Sequence, residues 1–343
     1  MDPFAGLLDG PRARGAFALR TLMSPPWSLR VLAESPLTLL AVVRGHAWVI
    51  PDAGEPVRLG TGDVAVTRGP DHYSVADDPA TPTTVVIHPG QHCATPEGES
   101  LAEQMALGVR TWGNHRGTDP AHSTLMLVGA YESAGEIGDR LRRTLPPLLW
   151  LAQDQWESPL VGLLCEEMAK DRAGQAAVLD RLLDSLLVAV LQTWLARPQA
   201  AASPAVRSQG DPVVERVLRL MHADPAHPWT LERLARRAGT SRAALARRFH
   251  EVVGQPPMAF LTEWRLALAA DLLCEPGASV GSVAEQVGYS TPYALSTAFK
   301  RVRGISPRAH RGRVMAAAAD PGPGPAPDQS EVRRGGLDTT GPR

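Results

Sequence analysis

The chain has 343 residues, 44% of them hydrophobic and 21% charged, with a formal net charge of −1. That length exceeds one ordinary domain, and the balance is that of a globular protein. Cys93, Cys165 and Cys274 are too few and too widely spaced for a disulfide framework. Residues 1–30 lack the apolar core of a secretion signal, and no run of ~18 apolar residues spans a bilayer, so a reducing cytoplasm and no membrane partner are expected.

Residues 1–30 are punctuated by Pro11, Pro25 and Pro26, which predicts an N-terminal arm that adds a short strand or packs across the next domain. Over residues 31–157, short apolar runs alternate with Gly and Pro turns about every ten residues: Leu37–Arg44, Ala47–Pro51, Asp63–Thr67, Thr83–His88 and Thr124–Ala130. This spacing predicts a sandwich or small barrel. Between Pro89 and Ser123 the chain is irregular and rich in Gly, His and Thr, a long connection of the kind that closes over binding sites. Residues 158–196 turn helical. One amphipathic helix carries Leu160, Leu163, Leu164 and Met168, Gly174 marks a break, and Leu179, Leu183, Leu186, Leu187, Val190 and Trp194 then recur at helical spacing. Residues 197–211, rich in Pro, Ala and Ser, read as a linker. Beyond Val314, residues 315–343 are Ala, Pro and Gly with few large apolar side chains and are expected to be disordered.

Residues 212–314 state one pattern twice. Leu231 to Phe249 and Val280 to Phe299 superimpose, matching Leu234 with Val283, Gly239 with Gly288, Leu245 with Leu295 and Phe249 with Phe299. In each copy a short helix stops at a glycine and a hydroxyl residue, Ser241 or Thr291, caps a second helix; Pro292 takes the first helical position. Leu245, Phe249, Leu295 and Phe299 must then face a core, leaving Ala243, Ala246, Arg247 and His250 open on one helix and Tyr293, Ser296, Thr297 and Lys300 on the other. A bridging helix over Met258–Leu273 joins the copies through Phe260, Leu261, Trp264, Leu268 and Leu272, and Val213, Val217 and Leu220 form the inner face of a leading helix. From Asp211 to Val314 there are 15 basic and 9 acidic residues, a surplus of six, so the rest of the chain is acidic by about seven.

Two glycine-hinged helix pairs on one bridge, closed by Gly304-Ile-Ser-Pro-Arg-Ala-His310, resemble the DNA-binding part of AraC-type transcription regulators. The resemblance implies double-stranded DNA as partner, regulation of transcription by activation, contact with RNA polymerase, and dimerisation through a hairpin placed where 158–196 lies. A helix buried only within its own subunit is the other reading of that stripe. Arg247 is the candidate for direct base readout, because arginine can donate two bonds to one guanine; Ala243 and Ala246 offer apolar contact. Arg242, Arg248, Lys300, Arg301 and Arg303 are expected on the phosphate backbone. Thr297 stands where the family often has arginine, which makes the second unit less discriminating.

Upstream, Gly62-Asp63-Val-Ala-Val-Thr-Arg-Gly69-Pro70-Asp71-His72 and Arg44-Gly45-His46-Ala47-Trp48 resemble the motifs of a cupin barrel. His46, Trp48, His72 and His88 are the expected effector-binding residues. Catalytic cupins carry His-x-His in the first motif; here Trp48 replaces the second histidine, so no catalytic residue, metal or cofactor is assigned. Convergence of His46, His72, His88, His92 and Cys93 on a metal, or oxidant sensing at Cys93, are the alternative readings, as is a cupin enzyme bearing DNA-binding units. Leu125–Tyr131 narrows the resemblance to a group in which several members sense reactive species through a cysteine before the strand glycine; Val128 stands there in this chain. The whole predicts a multi-domain α+β protein, an N-terminal cupin-like β-barrel with a helical hairpin and a C-terminal all-α tandem helix-turn-helix domain, responding to a small-molecule effector.

Overall fold

The run Leu37–Arg44 is apolar at successive positions, not at every second one, which requires burial on both faces of a sheet. In the computed structural model, which describes residues 17–108, 110–115, 122–131, 135–156, 158–170, 172–197 and 211–319, it forms strand β3. Leu37, Leu39 and Ala41 face a helical layer while Leu40 and Val42 face the interior between two sheets.

The first sheet has the order β10 (Ala106–Gly108), β11 (Thr111–Trp112), β1 (Phe17–Met23), β12 (Thr124–Tyr131), β3, β6 (Val64–Arg68) and β13 (Leu148–Leu151). The second runs β5 (Val57–Leu59), β4 (Ala47–Pro51), β7 (Tyr73–Ala76), β2 (Ser28–Val31), β8 (Val85–His88) and β9 (His92–Ala94). Their inner faces enclose a core that includes Trp27, Leu40, Val49, Leu59, Val75 and Met126. Over their described part the first thirty residues add strands to both sheets: β1 pairs with β12 along its whole length, and β2 sits between β7 and β8. Residues 1–16 lie outside the described residues. The stretch expected to be irregular after Pro89 supplies β9, β10 and β11.

Helix α1 (Gly135–Thr144) follows β12, and α2 (Leu160–Met168) and α3 (Gln175–Leu195) form the hairpin. Leu179, Leu183, Leu186, Leu187, Val190 and Leu191 of α3 are all buried against the outer face of the first sheet. The helix comes so close to β12 that a Cβ on Gly129 would lie 2.7 Å from Leu183 Cδ2, and the Tyr131 hydroxyl donates to the Leu183 carbonyl at 2.9 Å. The long apolar stripe is thus largely consumed inside the subunit; of its large side chains, Leu163 and Val178 remain exposed.

The C-terminal part is helical: α4 (Pro212–Ala223), α5 (Leu231–Arg237), α6 (Arg242–Val253), α7 (Pro257–Leu273), α8 (Val280–Gln286), α9 (Pro292–Arg303) and α10 (Pro307–Ala319). In α4 the buried face is Val214, Val217, Leu218 and Met221, with the expected Val213 and Leu220 partly buried against its edge, and Asp211 caps the helix by accepting from the Val213 and Val214 amides. The bridge α7 is buried almost all round: Leu261 joins the first unit's core, while Leu266, Ala269, Ala270 and Leu273 join the second's. Residues 315–319, expected to be disordered, continue α10; residues 320–343 and the linker over 198–210 lie outside the described residues.

Both turn glycines take the left-handed conformation, Gly239 at φ 70° and Gly288 at φ 79°. Their surroundings differ. A Cβ on Gly239 meets nothing within 4 Å, whereas one on Gly288 would sit 2.6 Å from the Ala226 carbonyl oxygen. Gly239→Ala should therefore cost about 1–2 kcal/mol, the left-handed strain alone. Gly288→Ala should cost clearly more, since a backbone oxygen cannot swing aside. Denaturant unfolding of both variants checks this, and equal losses would show that the carbonyl contact has no weight.

Candidate nucleic-acid interface

The second helix of each unit is placed by its N-terminus. Ser241 Oγ accepts from the Ala244 amide at 3.2 Å and Thr291 Oγ1 from the Ala294 amide at 3.1 Å, with Pro292 opening α9. Thr230 caps α5 in the same manner. Leu245, Phe249, Leu295 and Phe299 are fully buried and pin one face of α6 and α9 to their cores. The opposite faces are open. On α6, Ala243, Arg247 and His250 are exposed and Ala246 is half-buried; the Arg247 side chain is 72% exposed, with only a loose approach of 3.9 Å to Glu251. On α9, Tyr293 is 81% exposed, Thr297, Lys300 and Arg301 are exposed, and Ser296 is half-buried.

Three of the expected phosphate partners are already engaged. Arg242 Nη1 donates to Glu232 Oε1 at 2.6 Å, and this pairing is the first cause holding the Glu232 carboxyl below its usual range. Arg248 lies 3.8 Å from Asp211, the cap of α4. Arg303 is half-buried and paired with Glu136 of α1, on the N-terminal side of the linker.

The barrel holds a cavity of about 1070 Å3, walled by apolar side chains such as Leu19, Leu40, Val75, Ile87, Met126 and Val128. The segment after Pro89 contributes Gln91, His92, Cys93, Arg110 and Trp112 to it. His46, Trp48, His72 and His88 are not among its lining residues, a correction with a geometric cause. Side chains alternate along a strand, and with Val49 and Ile87 turned inward, Trp48 and His88 face out. His46 lies in the turn before β4, its carbonyl accepting from Thr124 Oγ1 at 2.8 Å. His72 lies 3.7 Å from Glu34 and borders a separate depression of about 310 Å3. Among the described residues no group of three or more His, Cys, Asp or Glu is gathered as a metal site, so these histidines and Cys93 do not converge. No described helix is long and apolar enough to cross a membrane.

Residues 2–196 match the family model described as Cupin, and residues 234–313 match that described as Helix-turn-helix domain. A putative AraC-like transcription regulator from Streptomyces lividans is 30% identical over 319 residues, covering 91% of this chain and 98% of the relative. The chain belongs to the AraC-like transcription regulators. A second such regulator, from Streptomyces antibioticus, is 29% identical over 323 residues, 92% of this chain and all of the relative. Among solved structures, the DNA-binding domain of AdpA in complex with a target DNA is 34% identical, covering 32% of this chain and 97% of that one, with a TM-score of 0.30.

In this AraC-like regulator the two parts meet at α1, an element sequence reasoning missed. The Glu136 amide donates to Asp271 Oδ1 of α7 at 2.7 Å, Arg140 lies 3.5 Å from Glu263 of α7, and the Glu136 carboxylate takes Arg303 of α9. Burial pushes the Glu136 carboxyl up against the opposing pull of Arg303. The helix had a signal: Ile137 and Leu141 are four apart, with Glu136 in the first turn and Arg142 and Arg143 in the last.

Cys93 does not have the surroundings of a reactive thiol. Burial pushes it up to about 11, and its Sγ–H faces the Gln91 carbonyl at 3.6 Å. Relative to an ordinary thiol near 9.0, about 100-fold less thiolate is available at pH 8. Iodoacetamide should therefore alkylate Cys93 about 100-fold more slowly in the native chain than in urea, the native rate rising about tenfold per pH unit until near 11. Peptide mass spectrometry reads this directly, and similar native and denatured rates would restore the thiol-switch reading.

Proposed function

We propose that this protein is a cytoplasmic, effector-responsive activator of transcription that reads one face of a DNA duplex with α6 and α9. The observation that carries the reading is that two capped helices present exposed polar and basic faces while their opposite faces are fixed to one bridge. Successive major grooves on one face of B-DNA recur every ≈ 34 Å, and a shared rigid helix suits paired insertion. Arg247 is the base reader, flanked by Ala243, Ala246 and His250; Tyr293, Ser296 and Thr297 form the less discriminating second surface, and Lys300 and Arg301 meet phosphates. Two copies associate through the surface of residues 158–196 that includes Leu163 and Val178, and DNA-bound dimers engage RNA polymerase. The barrel cavity takes the small-molecule effector.

Selection of random oligonucleotides by the full-length protein should enrich a site with two separated conserved blocks. No enrichment at moderate salt would overturn the reading, and a monomer in sedimentation equilibrium at micromolar concentration would remove the dimer from it. With the selected site, Arg247→Ala should cost about 1–3 kcal/mol at one base position and relax choice there, whereas Lys300→Ala should weaken cognate and scrambled DNA alike with a shallower salt slope. Equal weakening on both DNAs by Arg247→Ala would make Arg247 a phosphate contact.

The α1 contact supplies a resting state that restrains the second unit. An effector can act only by binding two arrangements unequally, and the arrangement in which Glu136 holds Arg303 is one of them. Glu136→Gln should therefore raise DNA affinity several-fold without effector and steepen the salt dependence by about one unit as Arg303 becomes free for phosphate. An unchanged slope in a binding titration would show that the pair has no restraining role.

A further inference from the structure

The two helix-turn-helix units match in their cores but not in their charge. The superposition that pairs Gly239 with Gly288 sets Arg236 against Glu285 and Arg237 against Gln286; the one that pairs Leu245 with Leu295 sets Arg242 against Pro292, Arg247 against Thr297 and Arg248 against Ala298. Arg236, Arg237, Glu285 and Gln286 are all exposed, in the last turns of α5 and α8. The faces correspond in space as well as in sequence. In the first unit Glu232 meets Arg242 at the N-terminal end of α6. In the second, Gly281 holds the place of Glu232 and Pro292 that of Arg242, and a Cβ on Gly281 would lie 3.7 Å from Pro292 Cγ. Arg236 stands one turn beyond Glu232 and Glu285 one turn beyond Gly281, so both lie on the face of the first helix that adjoins the leading end of the second. In a helix-turn-helix the first helix crosses the DNA backbone while the N-terminal end of the second enters the groove. Toward phosphate the first unit therefore offers guanidinium groups and the second a carboxylate. Along α9 no charged side chain occurs before Lys300, and Arg303 is held by Glu136.

We infer that the two units divide the work unequally: Arg236 and Arg237 are further phosphate contacts that make the first unit the electrostatic anchor, whereas Glu285 repels the backbone and leaves the second unit to dock under the tether of the first. Once the first unit is seated, binding of the second is an intramolecular event, so its helix needs little charge of its own. Tyr293, 81% exposed at the leading end of α9, meets the groove with a ring and a hydroxyl in place of charge. The inference rests on the reading of α6 and α9 as the DNA-facing helices.

The test measures binding of the full-length protein by fluorescence anisotropy over a range of KCl, on the selected site and on a random-sequence duplex of about three helical turns. Arg236→Ala and Arg237→Ala should each weaken binding about five- to tenfold at ~0.1 M salt and make the salt slope shallower by about 0.9, on both duplexes alike, because phosphate contacts carry no sequence information. Glu285→Gln should tighten binding about two- to fivefold, and Glu285→Arg further, with a slope steeper by about one. Gln286→Ala, which changes no charge, should leave the slope as it is; circular dichroism confirms that each variant is folded. On the selected site, ethylation of single phosphates should interfere more around the block whose pattern changes in Arg236→Ala than around the other. An unchanged slope in either arginine variant, an unchanged affinity in Glu285→Arg, or equal ethylation interference around both blocks would overturn the inference. The oligonucleotide selection is a separate measurement. A protein that selects a two-block site while its slopes ignore these residues loses the anchor and keeps the regulator reading, whereas one that shows the slopes on the random duplex but selects nothing keeps the anchor and loses the regulator reading.

Discussion

The geometry of the DNA-reading part depends on one junction. Arg265 of α7 donates from Nε to the Pro225 carbonyl at 2.7 Å and from Nη2 to the His227 carbonyl at 2.8 Å, tying the bridge to the loop that leads into the first unit. Gly288, the turn of the second unit, comes up against the same loop at Ala226 and against the same guanidinium. Three segments distant in sequence thus share one contact point, and only a residue without a Cβ can occupy the third place. Burial disfavours the charged form of Arg265, and the two backbone carbonyls compensate by accepting its hydrogen bonds. Around this junction α7 is packed on nearly every side, with Ala267, Ala269 and Ala270 letting neighbouring helices approach closely. The separation of α6 and α9 is therefore a property of a packed core and not of a flexible connection.

What was legible in the sequence is what is local. Caps, stop glycines and i, i+4 pairs involve residues a few positions apart, so the duplicated units, their capping residues Thr230, Ser241 and Thr291, and the buried Leu245, Phe249, Leu295 and Phe299 follow from pattern alone. Elements whose faces are decided by distant partners were less legible. A helix buried on all sides has no stripe, which is why the inward residues of α7 include Leu266, Ala269 and Ala270 that periodicity does not single out. Strands of two or three residues, such as β10 and β11, are too short to display alternation, and the cavity-lining segment after Pro89 consequently reads as loop.

The effector residues illustrate the same limit at the scale of a single position. Histidines and a tryptophan near recognisable motifs attract attention by type, but on a strand the deciding variable is parity. Ile87 faces the cavity and His88 does not; Val49 faces the barrel core and Trp48 does not. Parity was readable in principle, since Ala47, Val49 and Ile87 are the apolar partners one step away. Cys93, by contrast, is placed at the wall by its pairing with Ile87 across β8 and β9, a long-range fact with no local mark.

One strand connects the three surfaces that a regulator must couple. Met126, Val128 and Ala130 of β12 face the cavity, while Leu127, Gly129 and Tyr131 face α3, the longer helix of the hairpin. Four residues beyond the strand's end, α1 begins and rests on α7 and Arg303. Sheets and packed helices have dense interiors that resist local deformation, and β12 shares one such interior with the hairpin helix α3. Among the described side chains, the contacts α1 makes with the DNA-reading part include a few partly exposed polar pairs, each on the order of 1 kcal/mol. Allosteric coupling energies are typically about 1–3 kcal/mol. The ion pairs and hydrogen bond described between α1 and the C-terminal helices are of that order.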